Sequence, residues 1–190
     1  MTGHPMIDVR FFAPPADLAP CFTTFYRLEV TVPQGDYLED WLQPEWANLR
    51  FFSDNPPAAE LPDGPRIAGA RFQATGPSSC PIHFELGRTR MWGIGLFPLG
   101  WARFIGEDAS GHANTLVDGE ASPLFERFAP LCDMLCSRDH SDEEQFDALT
   151  DFFRRLAGPP ADQQRIQKVH EVMVDPQLLQ VEDFAHRVGL

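Results

Sequence analysis

From Cys21 to Val32 the chain alternates with a period of two. Tyr26, Leu28, Val30 and Val32 face one way and Arg27, Glu29 and Thr31 the other, as in a half-solvated antiparallel strand. Residues 6–13 read as a preceding strand closed by Pro14-Pro15, and Pro33-Gln34-Gly35-Asp36 turns the chain. Tyr37–Gln43 and Asn48–Ser53 are the next strand candidates, separated by Pro44 and Trp46. Asn55–Pro65, with four prolines and a glycine, reads as a surface loop, and Ile67–Thr75 as a strand ended by Gly76-Pro77. Ile82, Phe84 and Leu86 alternate with His83 and Glu85, and Gly87-Arg88-Thr89 is placed to turn that strand back as a hairpin into Met91–Phe97. In the second arm Trp92, Ile94 and Leu96 share one face and Gly93 and Gly95 the other; paired glycines mark a bend at a barrel corner or let another backbone or a ligand approach closely.

Beyond Phe97 the period becomes helical. Pro98–Gly106 reads as a short helix with proline at its start and glycine at its end, and Glu107–Glu120 as a polar loop. Ser122-Pro123 opens a helix with Leu124, Phe128, Leu131 and Leu135 inward, which Pro130 should kink or split. Ser141-Asp142-Glu143-Glu144 has capping-box spacing ahead of Phe146, Leu149, Phe153 and Leu156. Gly158-Pro159-Pro160 is the clearest boundary. After it Ile166, Val169 and Met173 form a stripe ending at Asp175-Pro176, and Val181–Val188 forms a shorter helix before Gly189. The expected architecture is α+β: a cupin-like antiparallel barrel or sandwich over 1–106, a helical hairpin for dimerisation or linkage over 107–158, and a partial helix-turn-helix unit over 159–190.

Composition narrows what such a fold does. A net charge of −13 with Lys168 as the sole lysine argues against nucleic-acid binding by these residues, and Pro159–Leu190 carries −2. No apolar run reaches membrane-spanning length and no leader precedes Met6, so a soluble cytoplasmic protein with no membrane partner is expected. Cys21, Cys80, Cys132 and Cys136 are too scattered for a disulfide framework; Cys132 and Cys136 fall on one helix face and read as packing residues.

The histidines, His4, His83, His112, His140, His170 and His186, show no His-x-His spacing. His83 and Glu85 share a strand face without a third partner, so no metal, cofactor or catalytic residue is assigned. Tyr26, Trp41, Trp46, Phe51, Phe72 and Trp92 either form plain core or line a small-molecule cavity, and Arg50, Trp41 and Trp92 are the ligand-binding candidates. A buried Arg50 needs an anion: Glu39, Asp40, Glu45 or a ligand carboxylate.

Two stretches resemble the AraC family of bacterial transcription regulators. Gly76-Pro77, Pro81, Leu86-Gly87-Arg88 and Gly93–Ala102 are similar to the hairpin and helix of its N-terminal sensing domain. Val181–Leu190 is similar to the first helix and turn of its first helix-turn-helix unit, with Phe184, Ala185, Val188 and Gly189 as scaffold. Gln180 stands where the family commonly places Ser or Thr, and the recognition helix is absent. The resemblance implies the N-terminal part of a homodimeric regulator, truncated inside its DNA-binding domain, that senses a small-molecule effector and meets promoter DNA through the missing part. A cupin-like isomerase or oxygenase is the alternative.

Overall fold

A computed structural model describes residues 5–178 and 180–189; His4 and Leu190 lie outside them. Ten strands occur among these residues: β1 (Met6–Phe12), β2 (Phe22–Thr31), β3 (Leu38–Leu42), β4 (Asn48–Phe52), β5 (Ala58–Glu60), β6 (Arg66–Ile67), β7 (Phe72–Thr75), β8 (Ile82–Leu86), β9 (Thr89–Leu96) and β10 (Leu116–Asp118). The α-helices are α1 (Pro98–Phe104), α2 (Cys132–Leu135), α3 (Asp142–Leu156), α4 (Gln163–Met173) and α5 (Val181–Val188). The strands form two antiparallel sheets, one of six in the order β1-β2-β9-β4-β7-β10 and one of four in the order β3-β8-β5-β6. Both are open, so the expected barrel is corrected to two stacked sheets. A six-stranded sheet covered by helices on one face and by a second sheet on the other has no exposed apolar face left to drive closure.

That covering shows in β4, β7 and β9, where every residue is buried. Leu49, Phe51, Phe72, Ala74, Trp92, Ile94 and Leu96 enter the helical core. Phe22, Phe104 and Phe128 meet Phe153 of α3 there, with ring centroids 4.8, 4.9 and 5.9 Å away. Ser141 caps α3 in the expected capping box with Glu144. The preceding helix is only partly as read. Pro130 lacks an N–H, and the segment runs as a 3-10 turn, Glu126–Leu131, into the four-residue α2. The apolar side chains of both helical segments are spent on the chain's own sheet.

The expected hairpin is absent: β8 pairs with β3 and β5, whereas β9 pairs with β2 and β4. Partly buried His83 and Glu85 suit an outer sheet with one polar face, while β9 is buried along its whole length. The chain therefore crosses from one sheet to the other at Gly87-Arg88. The proline-rich loop contains β5, because Ala59 and Leu61 pack with Ile82 and Leu116. The strand expected over Ile67–Thr75 breaks at Gly69, whose φ is 76°. Within the polar loop, β10 adds to β7. The short helix α1 follows its sequence signature, with Pro98 first and Gly106 at φ 81°.

One glutamine ties α3 to the sheet. Buried Gln145 accepts from Trp92 Nε1 at 2.8 Å and Arg90 Nη2 at 2.7 Å, and its Nε2 donates to the carbonyls of Met134 at 2.7 Å and Ser137 at 2.8 Å. Gln145→Leu keeps the volume, removes these four bonds and leaves the buried Trp92 N–H without its acceptor, while Arg90 keeps Asp142. It is expected to lower the unfolding free energy in urea by about 3 kcal/mol or more. Beside it Asp142 accepts from Arg90 at 2.7 Å and Arg27 at 3.2 Å. Burial works to raise the Asp142 pKa, but these guanidinium groups outweigh it and hold the carboxyl below its usual 3.8. A depressed carboxyl pKa stabilises the fold above the unfolded value and loses that contribution as pH falls through the folded one. Urea titrations below pH ~4 should therefore show stability falling more steeply in the wild-type chain than in Asp142→Asn.

Candidate functional site

Between the sheets lies a cavity of about 170 Å³. Leu28, Leu42, Phe52, Ile82, Phe84 and Met91 supply apolar wall, and Tyr26, Arg50, Gln73 and Thr75 bring polar groups to it. An apolar hollow of roughly 150 Å³ holds a benzene-sized body, so the space suits a small ligand with one polar end.

Strand register builds the polar floor. Tyr26 on β2 is opposite Gly93 on β9, Gly93 opposite Arg50 on β4, and Arg50 opposite Gln73 on β7. Gly93 explains how the row works: a Cβ there would overlap the Tyr26 ring. The ring crosses β9 over that gap and sets its hydroxyl against the Arg50 guanidinium. Gly95 similarly admits the Thr23 hydroxyl. The paired glycines thus make room for neighbouring side chains, which corrects the expected bend or approach of a backbone or ligand.

Arg50 is 6% exposed, and its Nη2 pairs with Glu45. Burial disfavours the cation, yet Tyr26 and Glu45 more than offset this, so the guanidinium pKa lies above its ordinary value and the charge persists. The second Glu45 oxygen accepts from Asn48 Nδ2 at 3.1 Å. Asn48 Oδ1 is buried without a partner among the described residues. Gln73 Nε2 donates to the Pro57 carbonyl at 2.8 Å, and Thr75 Oγ1 accepts from the Asn48 N–H at 3.2 Å. The floor offers hydrogen bonds and a largely neutralised positive charge, which fits a hydroxyl or carbonyl and lets a carboxylate bind by displacing Glu45.

Of the three ligand-binding candidates, Arg50 lines this cavity. Trp41 is half-exposed on the outer face of the small sheet, its ring centroid 4.8 Å from that of His83. Trp92 points to the helical face with its N–H held by Gln145, so the alternation of β9 removes it from the cavity. Phe51 and Phe72 stack in the same helical core at 4.4 Å. Gln73 and Thr75 were missed; their signal was polar residues alternating with Phe72 and Ala74 in a short strand. His83 sits between Glu39 at 2.9 Å and Glu60 at 3.3 Å, and Glu85 takes a two-pronged bond from Arg66 at 2.8 and 2.9 Å. No group of three or more His, Cys, Asp or Glu among the described residues is placed to hold a metal ion.

The tail begins against this scaffold. α4 packs on α1, and His170 of α4 lies 4.5 Å from Phe97 and 5.7 Å from Trp46, centroid to centroid. α5 starts without a side-chain cap from Gln180 and ends at Gly189 with φ 81°. Phe184, Ala185 and Val188 are half-buried. No helix among the described residues is long and apolar enough to cross a membrane.

No family model matches the chain. No curated protein matches it. Among solved structures, the crystal structure of the AraC-like transcriptional activator CuxR is similar at a TM-score of 0.40 and 12% identity, over 97% of this chain and 76% of that one.

The Tyr26–Gly93 contact makes a direct prediction. Gly93→Ala should destabilise the chain by about 1–3 kcal/mol in urea, because the added methyl displaces the ring. In a Tyr26→Ala background the same substitution should cost under about 0.5 kcal/mol. Equal costs in the two backgrounds would refute the contact as the reason for the glycine.

Proposed function

We propose that this chain is the effector-sensing part of a cytoplasmic AraC-type transcription regulator, whose inter-sheet cavity binds a small, mostly apolar molecule with one hydrogen-bonding group. The observation that carries the ligand half of this reading is the Tyr26–Arg50–Gln73 row, Arg50 and Gln73 buried and Tyr26 half-buried, under an apolar roof. A charged, desolvated arginine is costly to keep as mere packing, whereas aimed into a hollow it selects a ligand. The regulator half rests on the likeness of Gly76-Pro77, Pro81, Leu86-Gly87-Arg88 and Gly93–Ala102 to the family's sensing domain and of Val181–Leu190 to its first helix-turn-helix segment.

A path from cavity to tail accompanies this reading. Glu45 pairs with Arg50, the next residue Trp46 touches His170, and His170 belongs to α4, which leads to α5. A ligand that competes with Glu45 for Arg50 moves Trp46, and with it the seat of α4. Coupling then needs two seats of α4 with different ligand affinity. The protein acts as a homodimer, with promoter DNA as a further partner. The helix that the resemblance would place in the major groove is not among these 190 residues.

Thermal-shift screening against small aromatic and branched alcohols, ketones and acids tests the cavity. A ligand at about 100 times its Kd adds about 2.7 kcal/mol of stability, a readily measured rise in Tm. Ala59→Leu, which fills part of the hollow, should abolish that rise while leaving the unliganded chain folded. An unchanged rise in Ala59→Leu would place binding elsewhere, and no rise with any of these chemical classes would sink the proposal.

A further inference from the structure

β1 ends the six-stranded sheet and pairs only with β2, so the backbone groups along its outer side have no sheet partner among the described residues. Natural edges are blunted by short length, lysine, proline or a bulge. β1 has no lysine, proline or bulge, and Met6–Phe12 is seven residues in unbroken register with β2; its two charges of opposite sign, Asp8 and Arg10, are paired on the helix-facing side with Arg27 and with Asp142 and Glu143. The other edges are guarded, since β10 has three residues, β6 two, and β3 carries Glu39 and Asp40. On β1, Met6 is 63% exposed, Ile7 57%, Val9 41% and Phe11 71%.

We infer that β1 pairs antiparallel with β1 of a second copy of this chain, about a two-fold axis through Val9, joining the two six-stranded sheets into one. The sequence Met6-Ile7-Asp8-Val9-Arg10-Phe11-Phe12 carries the choice of occupant. In an antiparallel pair, directly opposed residues lie on one face, so a two-fold axis normal to the sheet must pass through a residue. Centring it on Val9 overlaps the whole strand and sets Asp8 opposite Arg10 of the partner subunit, twice. Ile7 then meets Phe11 of the partner subunit, and the exposed row Ile7, Val9, Phe11 becomes continuous across both copies. Centring on Asp8 or Arg10 instead sets a like charge against itself, which destabilises a directly opposed pair. The apolar faces of α2 and α3 are buried on the chain's own sheet.

Analytical ultracentrifugation at micromolar concentration reads the outcome. The wild-type chain is expected at twice its 21.4 kDa. Val9→Lys, which opposes two ammonium groups at the axis on an exposed position, is expected at 21.4 kDa with unchanged far-UV circular dichroism. Val9→Cys should form a covalent dimer on mild oxidation that the wild-type chain does not form, because opposed Cβ atoms at about 4.5–5.5 Å come within reach of a disulfide. A monomeric wild-type chain overturns the inference and leaves the edge to an extended segment of another protein. A folded, dimeric Val9→Lys also overturns it. If Val9→Lys does not fold, a dimeric Val9→Cys chain that fails to cross-link has the same force.

Discussion

A charged side chain in the middle of a doubly covered sheet constrains everything around it. Arg50 sits on β4 with strands on both sides, helices behind and a second sheet in front, so its charge must be met within the layer it faces. Glu45 meets it from the connection that leads into the same strand, and Tyr26 reaches it across β9. That reach fixes the register of β2 against β9 and requires a residue without a side chain at position 93. The central sheet consequently has two chemistries: an aromatic and aliphatic face that holds the helices, and a face of Tyr26, Arg50, Gln73 and Thr75 that looks into the cavity.

Local signals were legible where one face of an element meets water. β2, α1 and α3 follow their alternation, their proline and glycine boundaries and the Ser141 capping box, because each of those signals depends on neighbours in sequence. Pairing was not legible. Gly87-Arg88-Thr89 has the residues of a hairpin turn, yet the strands it joins belong to different sheets, and only the burial of both faces of β9 reveals this. The short strands β5 and β10 carry too few residues for a period and exist by pairing with β8 and β7.

The site divides the same way. Arg50 stood out because an arginine between Leu49 and Phe51 needs an anion, and Glu45 was among those named. Trp92 and Trp41 stood out only by size, and size does not say which face a residue takes; the strand parity of β9 sends Trp92 to the helices. Gly93 was noticed for the space it leaves, but the occupant, Tyr26, lies on a strand far away in sequence and becomes visible only with the register.

The strand order has a kinetic meaning. β1 and β2 are close in the chain and pair directly, whereas β2 finds its other neighbour, β9, only after most of the sheet-forming residues have been made. Pairings between distant segments form slowly, because a long loop must close before any contact rewards it. During synthesis the β1–β2 ribbon therefore emerges with both edges open and Phe22 and Phe25 uncovered. The nascent chain spends its most adhesive interval before Gly93 has left the ribosome.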